Sequence, residues 1–271
     1  MPVRRQLYNP SIEIPRKYLS LPLYQIAGMA GRILTMVFTI WVVVVFFLFM
    51  LPLLPFILLP FAAGTRFTFI GYWFLKLWAR LFSIFTGIRY RLVGRENLSA
   101  GRALIYVSNH TSFLDVPGLR MLIPGEFRPI AKKELLSIPL FGFIVRAATV
   151  VVDRSNAESR KRSVEAARKM IERGISMLIF AEGTQNRSNE ILQPFKDGAF
   201  RLAIETQTPI IPVVVTGAAR LMPPGKLWIK PGVIEVTAGK PIEVAGLTLA
   251  DLPALKQQTF ETMKHMLLHP K

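Results

Sequence analysis

Residues 103–115, "ALIYVSNHTSFLD", join an apolar run to a polar turn that contains His110. A short apolar run bounded by polar residues is typical of a buried strand, so we predict a strand over "ALIYVSN". Ser112 is a candidate N-cap for a helix over 113–122, which would place Asp115 in the first helical turn. Ligands of α/β sheets tend to bind beyond the carboxyl ends of strands. The stretch therefore predicts an α/β fold with a site at His110.

The same alternation of apolar runs and mixed segments continues through residues 89–271. Six more runs predict strands: "RYRLVG", "FRPIA", "ATVVVD", "SMLIFAE", "PIIPVVVTG" and "GVIEVTAG". Apolar residues at helical spacing predict four more helices, over 134–145, 156–173, 197–205 and 249–268. Together these elements predict a layered α/β domain over 89–271, built on a largely buried mixed or parallel sheet.

His110 is the best candidate for general-base chemistry, because the other two histidines, His265 and His269, lie close to the C-terminus. Five helical residues alone would leave His110 and Asp115 on different faces, whereas a turn that starts at His110 can bring the two side chains together. The ordinary alternative is a loop histidine without a catalytic role. The spacing alone is compatible with a base held by a carboxylate and leaves the loop histidine open.

Further polar clusters follow other predicted strands. They consist of Lys132 and Lys133, of Asp153 and Arg154, and of Glu182, Gly183, Thr184 and Arg187. The turn at Gly183 presents backbone amides that can face an anion, although a surface loop that caps the next helix is an equal alternative. If the strands are parallel, all these clusters gather at one edge of the sheet, around His110.

Residues 33–65 contain no charged residue, which far exceeds the roughly 20 apolar residues needed to cross a bilayer. As one straight helix this run would measure roughly 50 Å at about 1.5 Å per residue, against a hydrocarbon core of about 30 Å. Pro52, Pro55 and Pro60 each remove a helical hydrogen bond. The run therefore predicts either a tilted single span followed by a broken segment, or a re-entrant hairpin. A core helix of a soluble protein is the less favoured alternative.

Basic residues flank this run on both sides, and such residues favour the cytoplasmic face of a membrane. Two basic flanks favour the re-entrant hairpin and a catalytic domain on the cytoplasmic side of the cell or inner membrane. Residues 66–88 show apolar residues at helical spacing with Lys76 and Arg80 among them, which predicts an interfacial amphipathic helix or a helix packed on the protein's own core. We therefore predict a membrane-attachment region over 1–88.

The charge balance, 34 Lys and Arg against 17 Asp and Glu, gives a net charge of +17 and implies polyanionic partners. Nucleic acid, anionic lipid and phosphorylated substrates all qualify, but the chain has no recognised nucleic-acid motif and the apolar run favours lipid. The absence of cysteine excludes disulfides, thiolate zinc sites and a cysteine nucleophile. No metal-ligand spacing is visible, so no metal is expected.

Four sequence blocks resemble those of the glycerolipid acyltransferases, most closely the bacterial 1-acyl-glycerol-3-phosphate acyltransferases. The blocks are "NHTSFLD", "AKKELLSIPLFG" with "TVVVDRS", "FAEGT" with "FKDGAF", and "IIPVVVTG". The resemblance covers roughly residues 85–245, in the family's order and with similar spacing. Any one block is a weak signal, whereas four in order are a strong one.

The resemblance implies that His110 removes a proton from a glycerol hydroxyl as that hydroxyl attacks an acyl thioester, while Asp115 orients the imidazole. The donor would be acyl-coenzyme A or acyl carrier protein, used as a co-substrate without any further cofactor. By the same analogy Lys132 or Lys133 would stabilise the oxyanion. The lysophospholipid headgroup would be held by Arg154, Glu182, Gly183, Thr184 and Arg187. The implied product is phosphatidic acid, formed by acylation of the sn-2 hydroxyl of lysophosphatidic acid.

The third block departs from the family pattern. Ala181 replaces the usual proline, and Gln185 and Asn186 intervene before the arginine, so that Arg187 is displaced by two residues. The departure motivates an alternative acceptor, such as a lyso-aminolipid without phosphate. A second alternative is a non-catalytic basic protein that binds anionic lipid at the membrane surface, in which His110 would be replaceable.

Overall fold

A seven-stranded sheet forms the centre of the chain in a computed structural model that describes residues 21–98, 101–153 and 155–270. The strands are β1 Arg89–Val93, β2 Ile105–Ser108, β3 Phe127–Lys132, β4 Val150–Val152, β5 Ser176–Phe180, β6 Ile210–Thr216 and β7 Val233–Ala238. Their order is β1-β7-β6-β2-β5-β3-β4, and every neighbouring pair is parallel except β6 with β7. The predicted α/β class with a mixed, largely buried sheet is confirmed.

Helices cover both faces of this sheet. They are α1 Leu21–Ala62, α2 Thr68–Thr86, α3 Asp115–Leu122, α4 Phe141–Ala148, α5 Ala157–Glu172, α6 Gly198–Thr206, α7 Ala218–Leu221 and α8 Leu252–Leu268. Successive strand residues point to opposite faces, so Tyr106 joins the core under α1 to α4 while Val107 joins the core under α5, α6 and α8. The central strand β2 is buried along its whole length, which matches its unbroken apolar sequence.

The helix predicted over 134–145 is wrong in its bounds. A short 3-10 segment occupies Lys133–Ser137, and α4 begins only at Phe141. Pro139 explains the break, because the residue before a proline avoids the helical region and Ile138 is extended at ψ 119°. The bend brings Gly142 so close to the Leu136 carbonyl that a Cβ there would lie 2.2 Å from the oxygen.

The apolar run forms part of one helix, α1, which continues through its three prolines to Ala62. The helix neither breaks nor reverses at these prolines. The chain reverses at Gly64 instead, where φ is 113°, and α2 then returns along α1. Gly71 allows the close approach of the two helices, since a Cβ there would lie 2.6 Å from the Phe61 ring and 2.7 Å from the Ile57 carbonyl. The hairpin therefore consists of α1 and α2.

Aromatic contacts hold the two helices together, between Phe46 and Trp78, Phe49 and Phe85, Phe56 and Phe74, and Phe61 and Tyr72. Hydrogen bonds attach both ends of the hairpin to the sheet domain. At one end the Ile229 N–H donates to Thr39 Oγ1 at 2.9 Å. At the other, Thr68 Oγ1 donates to Glu126 at 2.7 Å and the Tyr72 hydroxyl donates to the Ala148 carbonyl at 2.8 Å. The hairpin thus lies along the domain.

The outer side of α1 is apolar and exposed, with Leu34, Val37, Leu48 and Leu59 each more than half accessible. Among the described residues, one helix segment, Gly31–Ala62, is long and apolar enough to cross a membrane, and most of its apolar part is not buried inside the protein. A face of this kind is costly in water. The region is therefore suited to membrane association, while the domain boundary at residue 88 and the interfacial position of α2 stay predictions.

Candidate active site

The side chains of His110 and Asp115 meet at the carboxyl end of β2. His110 Nδ1 lies 2.9 Å from Asp115 Oδ2, and Asp115 is completely buried. Two backbone N–H groups, of Thr111 and Ser112, also donate to Oδ2, at 2.8 and 2.9 Å. These donors compensate the buried carboxylate, and an ionised carboxylate only accepts hydrogen bonds. The proton of a neutral His110 imidazole is therefore assigned to Nδ1, which leaves Nε2 as an acceptor.

The turn between β2 and α3 creates this contact. The helix begins at Asp115 rather than at the predicted residue 113, and its N-cap is Leu114, which makes no side-chain cap. Ser112 is thus not the N-cap: its Oγ donates to the Met222 carbonyl at 2.9 Å and accepts from the Leu114 N–H at 3.2 Å. The Asp115 carboxylate takes the role of satisfying the turn's free N–H groups instead.

Two neighbouring residues fix the histidine in place. The Phe180 ring stacks on the His110 ring with centroids 4.0 Å apart and planes inclined by 20°. Asn109 is buried, and its side-chain amide forms two hydrogen bonds with the backbone of Val215 in β6. It donates to the Val215 carbonyl at 3.0 Å and accepts from the Val215 N–H at 2.8 Å. The His110 side chain keeps 16% of its surface exposed. The imidazole is therefore held in place while the side chain stays partly accessible.

Sequence reasoning missed both Phe180 and Asn109 as parts of this site. Asn109 directly precedes His110 in the sequence. A polar amide between a buried strand and a histidine is the signal that could have identified it as part of the site. Phe180 gave no such signal, because its position follows from the register of two strands that are distant in sequence, in which Ser108 pairs with Phe180.

Glu182 joins the histidine turn to a second loop. Ser108 of β2 pairs with Phe180 of β5, so His110 and Glu182, two residues further along each chain segment, lie beside each other. Glu182 Oε1 accepts from the His110 N–H at 3.1 Å and Oε2 accepts from the Gln193 N–H at 2.9 Å, and the residue is 1% exposed. Burial raises the pKa of the Glu182 carboxyl above its ordinary value of 4.5, although the two N–H donors act in the opposite direction.

The rest of the third block borders the same turn. Gly183 has a φ of 77° and Thr184 is exposed. The Asn186 N–H donates to the His110 carbonyl at 2.7 Å, so the exposed Arg187 directly follows a residue that is bonded to the histidine. A Cβ on Gly225 would lie 3.8 Å from the Arg187 guanidinium carbon. The structure therefore brings Arg187 to the border of the histidine turn, beside the loop that contains Gly225.

The predicted lysines lie further from the histidine. β5 separates β3 from β2, so the backbone at Lys132 starts about 10 Å from the strand that carries His110. Lys133 Nζ is 3.2 Å from Asp153 Oδ2, whereas Lys132 forms no ion pair with any residue that the structure describes. Arg154 lies outside the described residues. No cluster of three or more metal-binding His, Asp or Glu side chains is present within the described part of the chain.

Comparisons with known proteins agree with this geometry. The sequence pattern of the family described as Acyltransferase matches residues 89–216, which contain the histidine turn and the third block. The human 1-acyl-sn-glycerol-3-phosphate acyltransferase beta is 34% identical over 199 residues, which are 73% of this chain and 70% of that protein. The chain belongs to the glycerolipid acyltransferase family. It is therefore an enzyme of the acyltransferase class, and the non-catalytic alternative is set aside.

Two further relatives of this acyltransferase carry similar names. The 1-acyl-sn-glycerol-3-phosphate acyltransferase of Cocos nucifera is 38% identical over 141 residues, which are 51% of this chain and 46% of that protein. The crystal structure of the 1-acyl-sn-glycerophosphate (LPA) acyltransferase PlsC from Thermotoga maritima matches with a TM-score of 0.71, covering 87% of this chain and 95% of that one at 21% identity. The second likeness supports the fold.

Proposed function

We propose that this acyltransferase transfers an acyl chain from a thioester to the free sn-2 hydroxyl of lysophosphatidic acid and so produces phosphatidic acid. The observation that carries the proposal is the contact between His110 Nδ1 and the buried Asp115 carboxylate at the carboxyl end of β2. A histidine whose Nδ1 proton is held by a carboxylate presents Nε2 as a base. The names of the relatives support the acceptor.

In this mechanism Nε2 of His110 removes the hydroxyl proton of the acceptor as its oxygen attacks the thioester carbonyl. The tetrahedral intermediate then expels the thiolate, which receives the proton from the imidazolium. Asp115 keeps the imidazole in the Nδ1–H tautomer and stabilises the imidazolium while it exists. Attack is direct, so no covalent acyl-enzyme is formed. Glu182 contributes indirectly, because it holds the backbone of His110 rather than a reacting atom.

Arg187 is the proposed partner of the acceptor's phosphate. Its guanidinium suits a phosphate through two parallel N–H donors, and the preceding Asn186 is bonded to His110. The two inserted residues are accommodated because buried Asn186 accepts from the N–H and the hydroxyl of Ser188, at 2.9 and 2.7 Å. Thr184 and Gly183 would border the same headgroup. A displaced arginine that still lies beside the histidine turn supports a phosphorylated acceptor.

The acyl donor would be acyl-coenzyme A or an acyl carrier protein. Lys132 is the better placed of the two lysines for the oxyanion or the thioester, because Lys133 is already paired with Asp153. We further propose that the catalytic domain faces the cytoplasm, where such donors occur. The basic residues on both sides of the apolar run support this orientation, since they favour the cytoplasmic face.

Thiol release from palmitoyl-coenzyme A tests the acceptor. With the full chain in vesicles, release should depend on added lysophosphatidic acid, and Arg187→Ala should raise the KM for that acceptor about 10-fold or more while sparing kcat. A lyso-aminolipid without phosphate serves as the competing acceptor. Preference for the lyso-aminolipid, with no effect of Arg187→Ala on either acceptor, would refute the phosphate assignment and leave acyl transfer itself intact.

A further inference from the structure

Residues 222–232 connect α7 to β7 and carry an exposed apolar tip. Leu227 is 85% exposed, the highest value among the exposed large apolar side chains of the described residues, and its neighbour Trp228 is 45% exposed. Lys226 lies over the Trp228 ring, 5.4 Å from the centroid, and Lys230 follows two residues later. Connecting loops are normally polar at their tips, so a leucine and a tryptophan between two lysines indicate contact with something apolar.

The loop is attached to the apolar helix α1. The Ile229 N–H donates to Thr39 Oγ1 at 2.9 Å, and the Ile229 side chain is buried at 6% exposure. Val37 and Ile40, which flank Thr39 on α1, are each 56% exposed. The exposed tip of the loop and the exposed side of α1 therefore meet at Thr39, and whatever covers α1 there also reaches the tip.

The loop is also attached to the active site. The Met222 carbonyl accepts a hydrogen bond from Ser112, whose own N–H binds the Asp115 carboxylate. At Gly225 the loop passes beside the guanidinium of Arg187. One segment of 11 residues, 222–232, thus touches the apolar helix at one point and the reactive turn at another. A fixed contact at its tip would fix the distance between the reactive turn and that surface.

We propose that residues 226–230 form a second membrane contact, in which Leu227 and Trp228 enter the interface of an anionic bilayer while Lys226 and Lys230 bind its phosphate-bearing headgroups. Tryptophan is enriched at membrane interfaces, and lysines near the surface of an anionic bilayer are attracted to its headgroups. The lysine stems reach along the apolar surface while their ammonium groups stay in water. Charge complementarity and continuity with α1 both identify the bilayer, rather than another protein, as the occupant.

The absence of cysteine makes a site-specific test direct. Leu227→Cys and, as a matched control, Leu249→Cys are each labelled with an environment-sensitive fluorophore in the full chain. Leu249 is comparably apolar and 48% exposed, but it lies on the opposite side of the sheet, next to α8. The proteins are placed in vesicles of phosphatidylcholine with or without phosphatidylglycerol, and quenchers are attached to the lipid acyl chains. Lys226→Cys provides a second label position in the loop.

The labels at 227 and 226 should be quenched by the lipid-borne quenchers at least about 3-fold more than the label at 249. Replacement of both Lys226 and Lys230 by alanine in the Leu227→Cys variant should reduce that quenching in phosphatidylglycerol vesicles and leave it unchanged in phosphatidylcholine alone. Equal quenching at 227, 226 and 249 would overturn the proposal, as would protection of the 227 label only after a second protein is added. Quenching requires no turnover, so the result is independent of the acceptor proposed above.

Discussion

At the residue scale, the proposed chemistry depends on one buried carboxylate. Asp115 accepts hydrogen bonds from the His110 ring and from two backbone N–H groups, all at its Oδ2 atom. In Asp115→Asn the amide oxygen can still accept all three hydrogen bonds, but the neutral side chain no longer stabilises the imidazolium that forms during the reaction. We expect kcat to fall about 10²- to 10⁴-fold with little change in KM. Asp251→Asn, on the far side of the sheet, is the control, and equal losses in both variants would contradict this role.

Glu182 gives a prediction for the pH dependence of stability. Because burial raises its pKa above 4.5, the folded chain binds the Glu182 proton more tightly than the unfolded chain does. Its contribution to the free energy of unfolding is therefore fully present below pH 4.5 and falls as the pH rises through the raised pKa. Glutamine cannot titrate, so the stability advantage of the wild type over Glu182→Gln should shrink with rising pH.

Denaturation of both proteins in the same detergent, at a series of pH values from 4 upward, measures this difference. The variant should be destabilised by about 1–3 kcal/mol, because one backbone N–H then faces an amide donor. An advantage that grows with pH would show that the two N–H donors outweigh burial, and that the pKa of Glu182 is lowered instead.

At the element scale, the contact of α1 with α2 depends on Gly71. A Cβ at this position would overlap the Phe61 ring and the Ile57 carbonyl, so Gly71→Ala should push the helices apart and cost about 1–3 kcal/mol. Among the residues that the structure describes, no atom beyond the helix's own backbone lies within 4 Å of a Cβ placed on Gly31. Gly31→Ala is thus the matched control and should be neutral or stabilise by up to about 1 kcal/mol. Thermal unfolding in detergent compares them; equal midpoints would contradict the close crossing.

The sequence predicted strands more accurately than the connections between them. Each predicted strand overlaps an observed one, because strands of a sheet that is buried on both faces are continuously apolar and so stand out in the sequence. The prediction of a helix over 134–145 was wrong because the apolar periodicity continues across Pro139, whereas the helix cannot. The reversal of the N-terminal region was misplaced because Pro52, Pro55 and Pro60 do not break α1, whereas the less conspicuous Gly64 marks the turn.

The candidate site was predictable where it depended on local sequence. The turn from His110 to Asp115 spans only six residues, so its geometry follows from nearby backbone donors. The stacking of Phe180 on His110 and the two hydrogen bonds between Asn109 and Val215 depend on strand register, which a single sequence does not specify. The sequence likewise did not show that the Glu182 carboxylate binds the backbone N–H groups of His110 and Gln193, because a carboxylate beside a basic cluster was interpreted as part of the headgroup site.

At the scale of the whole molecule, apolar area and positive charge act on membrane association in different ways. The exposed side of α1 provides attachment that salt does not weaken, whereas the net charge of +17 acts only over a Debye length. We expect the full chain to stay with membranes washed at about 1 M salt, where that length is about 3 Å. Sedimentation of washed membranes measures this. Release into the supernatant would show that attachment is mainly electrostatic.

The proposed acyl transfer depends on His110 as its base. The measurement that tests it most directly is thiol release from palmitoyl-coenzyme A in the presence of lysophosphatidic acid, comparing the wild type with His110→Ala in membranes that contain equal amounts of folded protein. We predict acceptor-dependent release by the wild type and a loss of about 10²-fold or more in the variant. Undiminished release by His110→Ala would show that His110 is not the base.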